Sequence, residues 1–166
     1  WTGMLFIVSL FYLGEFDYSR PQVWIWFGAY LIYPLIALWI TWMHRNLNEP
    51  HDGMPLPTWV KNYLLVQGVL VTLLSLALLF APDAMVNIWP WKITRLLAQI
   101  YSAPFLSYGW GSLMLSRCQT WKEARVVLIG TVVFAIFVLL ASIIHRELFS
   151  FSNASAWIWF GGFAIA

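Results

Sequence analysis

The sequence predicts an all-α fold, a polytopic transmembrane helical bundle of about six helices in three consecutive hairpins, forming a single domain over residues 1–166. Three observations predict it. Only 10% of residues are charged and 61% are hydrophobic. A soluble domain carries roughly 25% charge, so this chain has too few polar groups to cover a globule in water. Mean hydropathy is +0.75. Four runs, 23–43, 63–80, 96–116 and 126–144, contain no Asp, Glu, Lys or Arg, and each is about as long as a helix needs to cross a ~30 Å hydrocarbon core. Lipid offers backbone amides no water, so each run must pair its own. None alternates apolar with polar residues as a barrel strand does.

Helices are expected at about 2–13, 23–43, 59–80, 92–116, 124–145 and 157–166. The first opens on apolar residues and the last is a run of ten uncharged ones, about 15 Å of helix. Both are expected to be truncated pieces of longer helices. Between them the punctuation is polar. Residues 14–22 hold Glu15, Asp17 and Arg20 ahead of Pro21. Residues 45–58 carry Pro50, Pro55, Pro57 and Gly53, too many breakers for a helix. Residues 81–90 contain Pro82, Asp83 and Pro90, and 117–125 and 146–155 form the remaining connections.

The pentapeptide Trp24-Ile25-Trp26-Phe27-Gly28 recurs unchanged as Trp157-Ile158-Trp159-Phe160-Gly161, with Trp89-Pro90-Trp91 between them. The second Trp of each falls at 26, 91 and 159, spacings of 65 and 68. Each is expected to open a helix after a short loop. That implies three parallel hairpin repeats, not the inverted repeats of many secondary transporters. Alternating loops place Arg45, Lys61, Arg117, Lys122 and Arg125 on one side and Arg20, Lys92, Arg95 and Arg146 on the other. The short, cationic 117–125 loop favours the cytoplasm for its side. The expected location is a bacterial cytoplasmic or intracytoplasmic membrane.

The residues that can carry chemistry are few. Trp89 and Trp91, with the other paired tryptophans, suit an aromatic belt at headgroup level. An aromatic wall for a pigment, quinone or partner is the alternative. Lys92 and Arg95 sit at a helix start, where cations oppose the macrodipole, so Asp83 or a lipid phosphate is expected beside them. Gln99, Ala103, Ser107 and Gly111 recur every four residues and form a small-residue stripe for helix packing or a partner subunit. Pro104 interrupts the same helix. His44 and His145 are weak candidate cofactor ligands. They end helices on opposite faces and cannot share a haem, so interfacial anchoring is the simpler role. The single cysteine, Cys118, rules out an intrachain disulfide.

Several classes are disfavoured. The four runs lack the ionisable groups of proton pumps and ion-coupled carriers. The sequence has no metal-ligand set, no nucleophile or zinc-protease motif, and no phosphate loop. No basic cluster exceeds three residues, so nucleic acid is not an expected partner. The chain is therefore expected not to be an enzyme. The leading expectation is a non-catalytic subunit or scaffold of a larger membrane assembly, plausibly an energy-transducing (respiratory or photosynthetic) one. Its partners would be membrane lipids and other membrane subunits, and its cofactors are unknown. One alternative is a small-molecule or lipid transporter or channel, with Gln67, Gln99 and Ser107 lining its path. The other is a pigment- or quinone-binding protein.

Overall fold

The computed structural model describes residues 1–44 and 53–165. Among them are seven α-helices: α1 (Thr2–Phe11), α2 (Pro21–His44), α3 (Thr58–Phe80), α4 (Pro82–Ile88), α5 (Arg95–Leu115), α6 (Trp121–Ile144) and α7 (Ala154–Ala164). Two 3-10 turns, Leu13–Glu15 and Arg146–Leu148, follow α1 and α6. The described residues contain no strand, only an isolated bridge between Pro55 and Thr120. The all-α class therefore holds.

Local chemistry sets the boundaries. Pro21 starts α2, where a missing N–H costs nothing. Residues 81–90 were expected to be a loop, yet they contain α4. Pro82 lies at its start with Asp83 in its first turn, which suits the helix dipole. Trp89 is extended, as the residue before Pro90 prefers to be, and this ends α4. The Thr94 hydroxyl accepts from the Leu97 N–H at 3.2 Å, so α5 starts at Arg95 and not at 92. Consequently Trp89 and Trp91 do not open a helix, and the middle copy of the tryptophan motif differs from the outer two.

Three helices are long and apolar enough to cross a membrane: α2, α3 and α6, with mean hydropathies of 1.8, 2.3 and 3.0. The sequence reading named four. At 21 residues α5 is long enough, about 31 Å. Its serines, tyrosines and glutamine make it more polar than the other three, and most of them face another helix. The contact between α3 and α5 is by far the most extensive in the molecule. Ala98 and Ser102 are fully buried there. The Ser75 hydroxyl donates to the Ser102 carbonyl at 2.8 Å. Gly68 and Gly109 allow the approach. A Cβ on Gly109 would lie 2.5 Å from Thr72 Oγ1 and 2.7 Å from Thr72 N. One on Gly68 would lie 2.8 Å from the Leu113 side chain. Lipid tails are as apolar as leucine, so such close backbone packing is what holds membrane helices together.

Two hairpins flank this pair. The α1–α2 hairpin meets α5 through α1, and α7 packs on α6. The loops are tied at both ends. At one end Leu56 N donates to Gln119 O (2.8 Å) and Trp121 N to Met54 O (3.0 Å). There Leu56, Val60, Leu64, Leu115 and Ala124 form a small core. At the other end Ser150 N donates to Pro90 O at 3.2 Å. Loops expected on a common side are therefore joined on that side.

Candidate functional site

The end carrying the repeated tryptophans has the most differentiated chemistry. The two copies of the pentapeptide belong to a longer repeated turn. Trp26 Nε1 donates to Ser9 Oγ at 2.9 Å, and Trp159 Nε1 to Ser142 Oγ at 3.0 Å, each across 17 residues. Both serines donate in turn to the carbonyl four residues earlier, Leu5 and Val138. Trp24 Nε1 bonds the Tyr18 carbonyl and Trp157 Nε1 the Phe151 carbonyl, both at 3.1 Å. Phe16 meets Phe27 at 5.0 Å, and Phe149 meets Phe160 at 5.2 Å. Tyr18 stacks on Phe27 as Phe151 stacks on Phe160. One device thus occurs twice: a helix-borne serine anchors the second tryptophan, and aromatic rings pin the turn. The pentapeptide revealed its second half. Ser9, Phe16 and Ser19 align with Ser142, Phe149 and Ser152 at the same offset, a signal that the sequence reading missed.

The surroundings of the two anchored tryptophans differ. Trp159 stands edge-on to Trp91 at 4.8 Å and to Trp89 at 5.8 Å, with Phe105 at 6.3 Å. Trp89 also stacks on Tyr101. Trp89 is only 7% exposed, so it is a core residue and not the headgroup anchor expected of it. Its Nε1 is buried without a hydrogen-bond partner. Trp91 is half-buried in the same cluster. Trp24 and Trp157, at the same place in the two repeated turns, are 62% and 65% exposed.

Beside Trp26 no such cluster exists. A cleft of about 290 Å³ lies there between the first hairpin and α5. Leu5 and Val8 of α1 and Tyr12 just past its end form one wall, and Leu96 and Ile100 of α5 the other. Phe16 and Glu15 come from the turn. The Tyr12 hydroxyl donates to Gln99 Oε1 at 2.5 Å.

The remaining expected residues fall as follows. Arg95 lies 3.7 Å from Asp83, so the anticipated carboxylate sits near the start of α5, and both groups are largely exposed. Lys92 is exposed. In the four-residue stripe Gln99 and Ala103 are buried, while Ser107 and Gly111 are half-buried. A Cβ on Gly111 would meet nothing within 4 Å. The tight seam to α3 includes Gln99 and continues through Ser102, Gly109 and Ser112. Gln99 Nε2 donates to the Leu79 carbonyl at 3.0 Å. Gln67 Nε2 donates to the hydroxyls of Tyr63 and Tyr108, and Gln67 Oε1 accepts from Ser112 at 3.3 Å. Tyr63 donates to the Ile165 carbonyl. Ser107 bonds back to Ala103 O at 3.0 Å. Gln67, Gln99 and Ser107 are thus satisfied within the protein, as a low-dielectric setting demands, whereas the buried Thr72 hydroxyl of α3 has no hydrogen-bond partner.

His145 Nδ1 lies 3.8 Å from Glu147 Oε1, both largely exposed. The His44 side chain and His51 lie outside the described residues. Among the described residues no group of three or more His, Cys, Asp or Glu converges as a metal site. Burial raises the Cys118 thiol pKa, and the nearby Glu123 carboxylate adds to this. The sulfur is therefore a thiol, not a thiolate, at neutral pH.

No protein-family model, curated protein or solved structure matches this chain.

Proposed function

We propose that this chain is a non-catalytic integral membrane subunit or scaffold of a larger membrane protein assembly, of the energy-transducing (respiratory or photosynthetic) kind. The observation that carries it is the state of α2. This helix is of membrane-spanning length, and none of its apolar window is buried against the rest of the chain. Its tertiary contact is chiefly with the ten-residue α1. The face of α2 beyond α1 presents Leu31, Leu35, Leu38, Trp39 and Trp42, a broad apolar surface suited to helices of another subunit. The half-buried Ser107 and Gly111 of α5 offer a second narrow surface of small residues.

A transport path is the weaker reading. It needs polar groups free to meet a solute, and Gln67 and Gln99 are both engaged within the protein. Two further points remain proposals. The Arg117–Arg125 side faces the cytoplasm on the strength of its cations, and the membrane is a bacterial cytoplasmic or intracytoplasmic one.

Gentle extraction from native membranes, followed by native electrophoresis and mass identification, tests the proposal. Stable comigration with other membrane subunits is expected. A photocrosslinker at Leu38 of α2 should capture one of them. Migration as a lone chain, with crosslinks to lipid only, would sink the proposal.

A further inference from the structure

The repeated turn defines what a filled seat looks like. Around Trp159 the protein supplies Trp89, Trp91 and Phe105. Around Trp26 it supplies none of these and leaves about 290 Å³. The cleft runs along α1 from Leu5 to Tyr12, just past the helix end, roughly 10 Å in the helix direction. Its polar wall atoms are already engaged: Ser9 Oγ with Trp26, and the Tyr12 hydroxyl with Gln99. The wall therefore offers a guest almost nothing but dispersion contacts, and a void there forfeits them. Hydrocarbon chains are the filler that a bilayer supplies at this depth.

The mouth has one distinct chemical feature. Glu15 lies in the 3-10 turn, at the level where the polar residues of the turn begin. Among the described residues no basic side chain lies within ion-pair distance of it. Two cations of this end are paired with other carboxylates, Arg20 with Asp17 at 2.9 Å and Arg95 with Asp83 at 3.7 Å. A carboxylate over an apolar cleft selects an amphiphile whose head is cationic and donates hydrogen bonds.

We propose that the cleft between the α1–α2 hairpin and α5 seats one acyl chain of a phospholipid with an ethanolamine head, its ammonium group against Glu15. The lipid occupies the place that Trp91 and Trp89 take around Trp159. This is independent of whether the chain is a subunit of an assembly.

The test is native mass spectrometry of the purified chain released from nanodiscs of equal phosphatidylethanolamine and phosphatidylglycerol content. Wild type should retain one phosphatidylethanolamine in preference to phosphatidylglycerol. Leu96→Trp introduces an indole into the cleft from the protein side and should abolish retention. Glu15→Gln should keep a lipid but reduce the ethanolamine preference by about threefold, the scale of one interfacial ion pair. Should Leu96→Trp fail to fold, Glu15→Gln alone decides, since it alters an exposed turn residue. Absence of a retained lipid, equal retention of the two lipids by wild type, or unchanged retention in Leu96→Trp would each overturn the proposal.

Discussion

The first and last hairpins share a turn and differ in what they lean on. Each anchors a tryptophan to a serine 17 residues earlier. Trp159 then enters a cluster of four other aromatic rings. Trp26 meets Tyr30 at 4.3 Å and borders a cleft. The local sequence therefore specifies the turn, and the segment opposite specifies whether the turn is packed. The 81–94 connection makes the difference, because Trp89 and Trp91 project from it toward one hairpin only.

Deleting the anchored rings tests that contrast most severely. Trp159→Ala empties the middle of a packed cluster and should destabilise by about 3–5 kcal/mol. Trp26→Ala should cost about half as much, since a cleft already borders the ring. Equal losses in detergent unfolding curves would break the comparison. The contrast also presumes a rigid pair between the hairpins. Gly109→Val drives a side chain into Thr72 and should cost about 2–3 kcal/mol, whereas Gly111→Val enters open space and should be near neutral. The same unfolding assay reads both. If Gly111→Val proved as damaging, the seam would have to run through Gly111 instead.

The shared half of the comparison is checked by the serines. Ser9→Ala and Ser142→Ala each remove one acceptor from an indole N–H, and each should cost about 1 kcal/mol. Agreement between the two values, more than their size, would establish that the turns are energetically equivalent. The smallest effect separates the turns by pH. The Asp17 carboxyl is held below its ordinary 3.8 by the Ser19 hydroxyl, the Ser19 N–H and Arg20, in that order. The aligned residue of the other turn is Ser150, which does not titrate. A depressed folded-state pKa means that the contribution is present above the unfolded value of 3.8 and is lost as pH falls through the lower folded value. The Ser19 amide resonance should therefore titrate below pH 3.8, and that of Ser152 should stay fixed.

Much of the architecture was legible because uncharged runs and breakers state it directly. The ends of α2, α3 and α6 lie within about three residues of the expected positions. What escaped were features set by tertiary context. The short α4 was hidden inside a segment that Pro82 and Pro90 marked as loop, although Pro82-Asp83 is itself a helix start. The polar side of α5 was recognised as a stripe, of which Gln99 and Ala103 are buried. A four-residue rule leads on from there to the half-buried Ser107 and Gly111, whereas the contact with α3 follows the 3.6-residue turn through Ser102 and Gly109. Trp89 shows the same limit. An aromatic near a helix end has the same signature whether it faces headgroups or a neighbouring Trp159.

The polarity of α5 has a consequence for biogenesis. Helices α3 and α6 have mean hydropathies of 2.3 and 3.0, and α5, with its serines, tyrosines and glutamine, is the more polar helix. Its serines and glutamine are tolerable in the bilayer only against α3, whose Gly68 and Ser75 are in turn complete only against α5. Insertion of the two is therefore coupled. The short stretch from 81 to 94 brings α5 to α3 soon after α3 is synthesised.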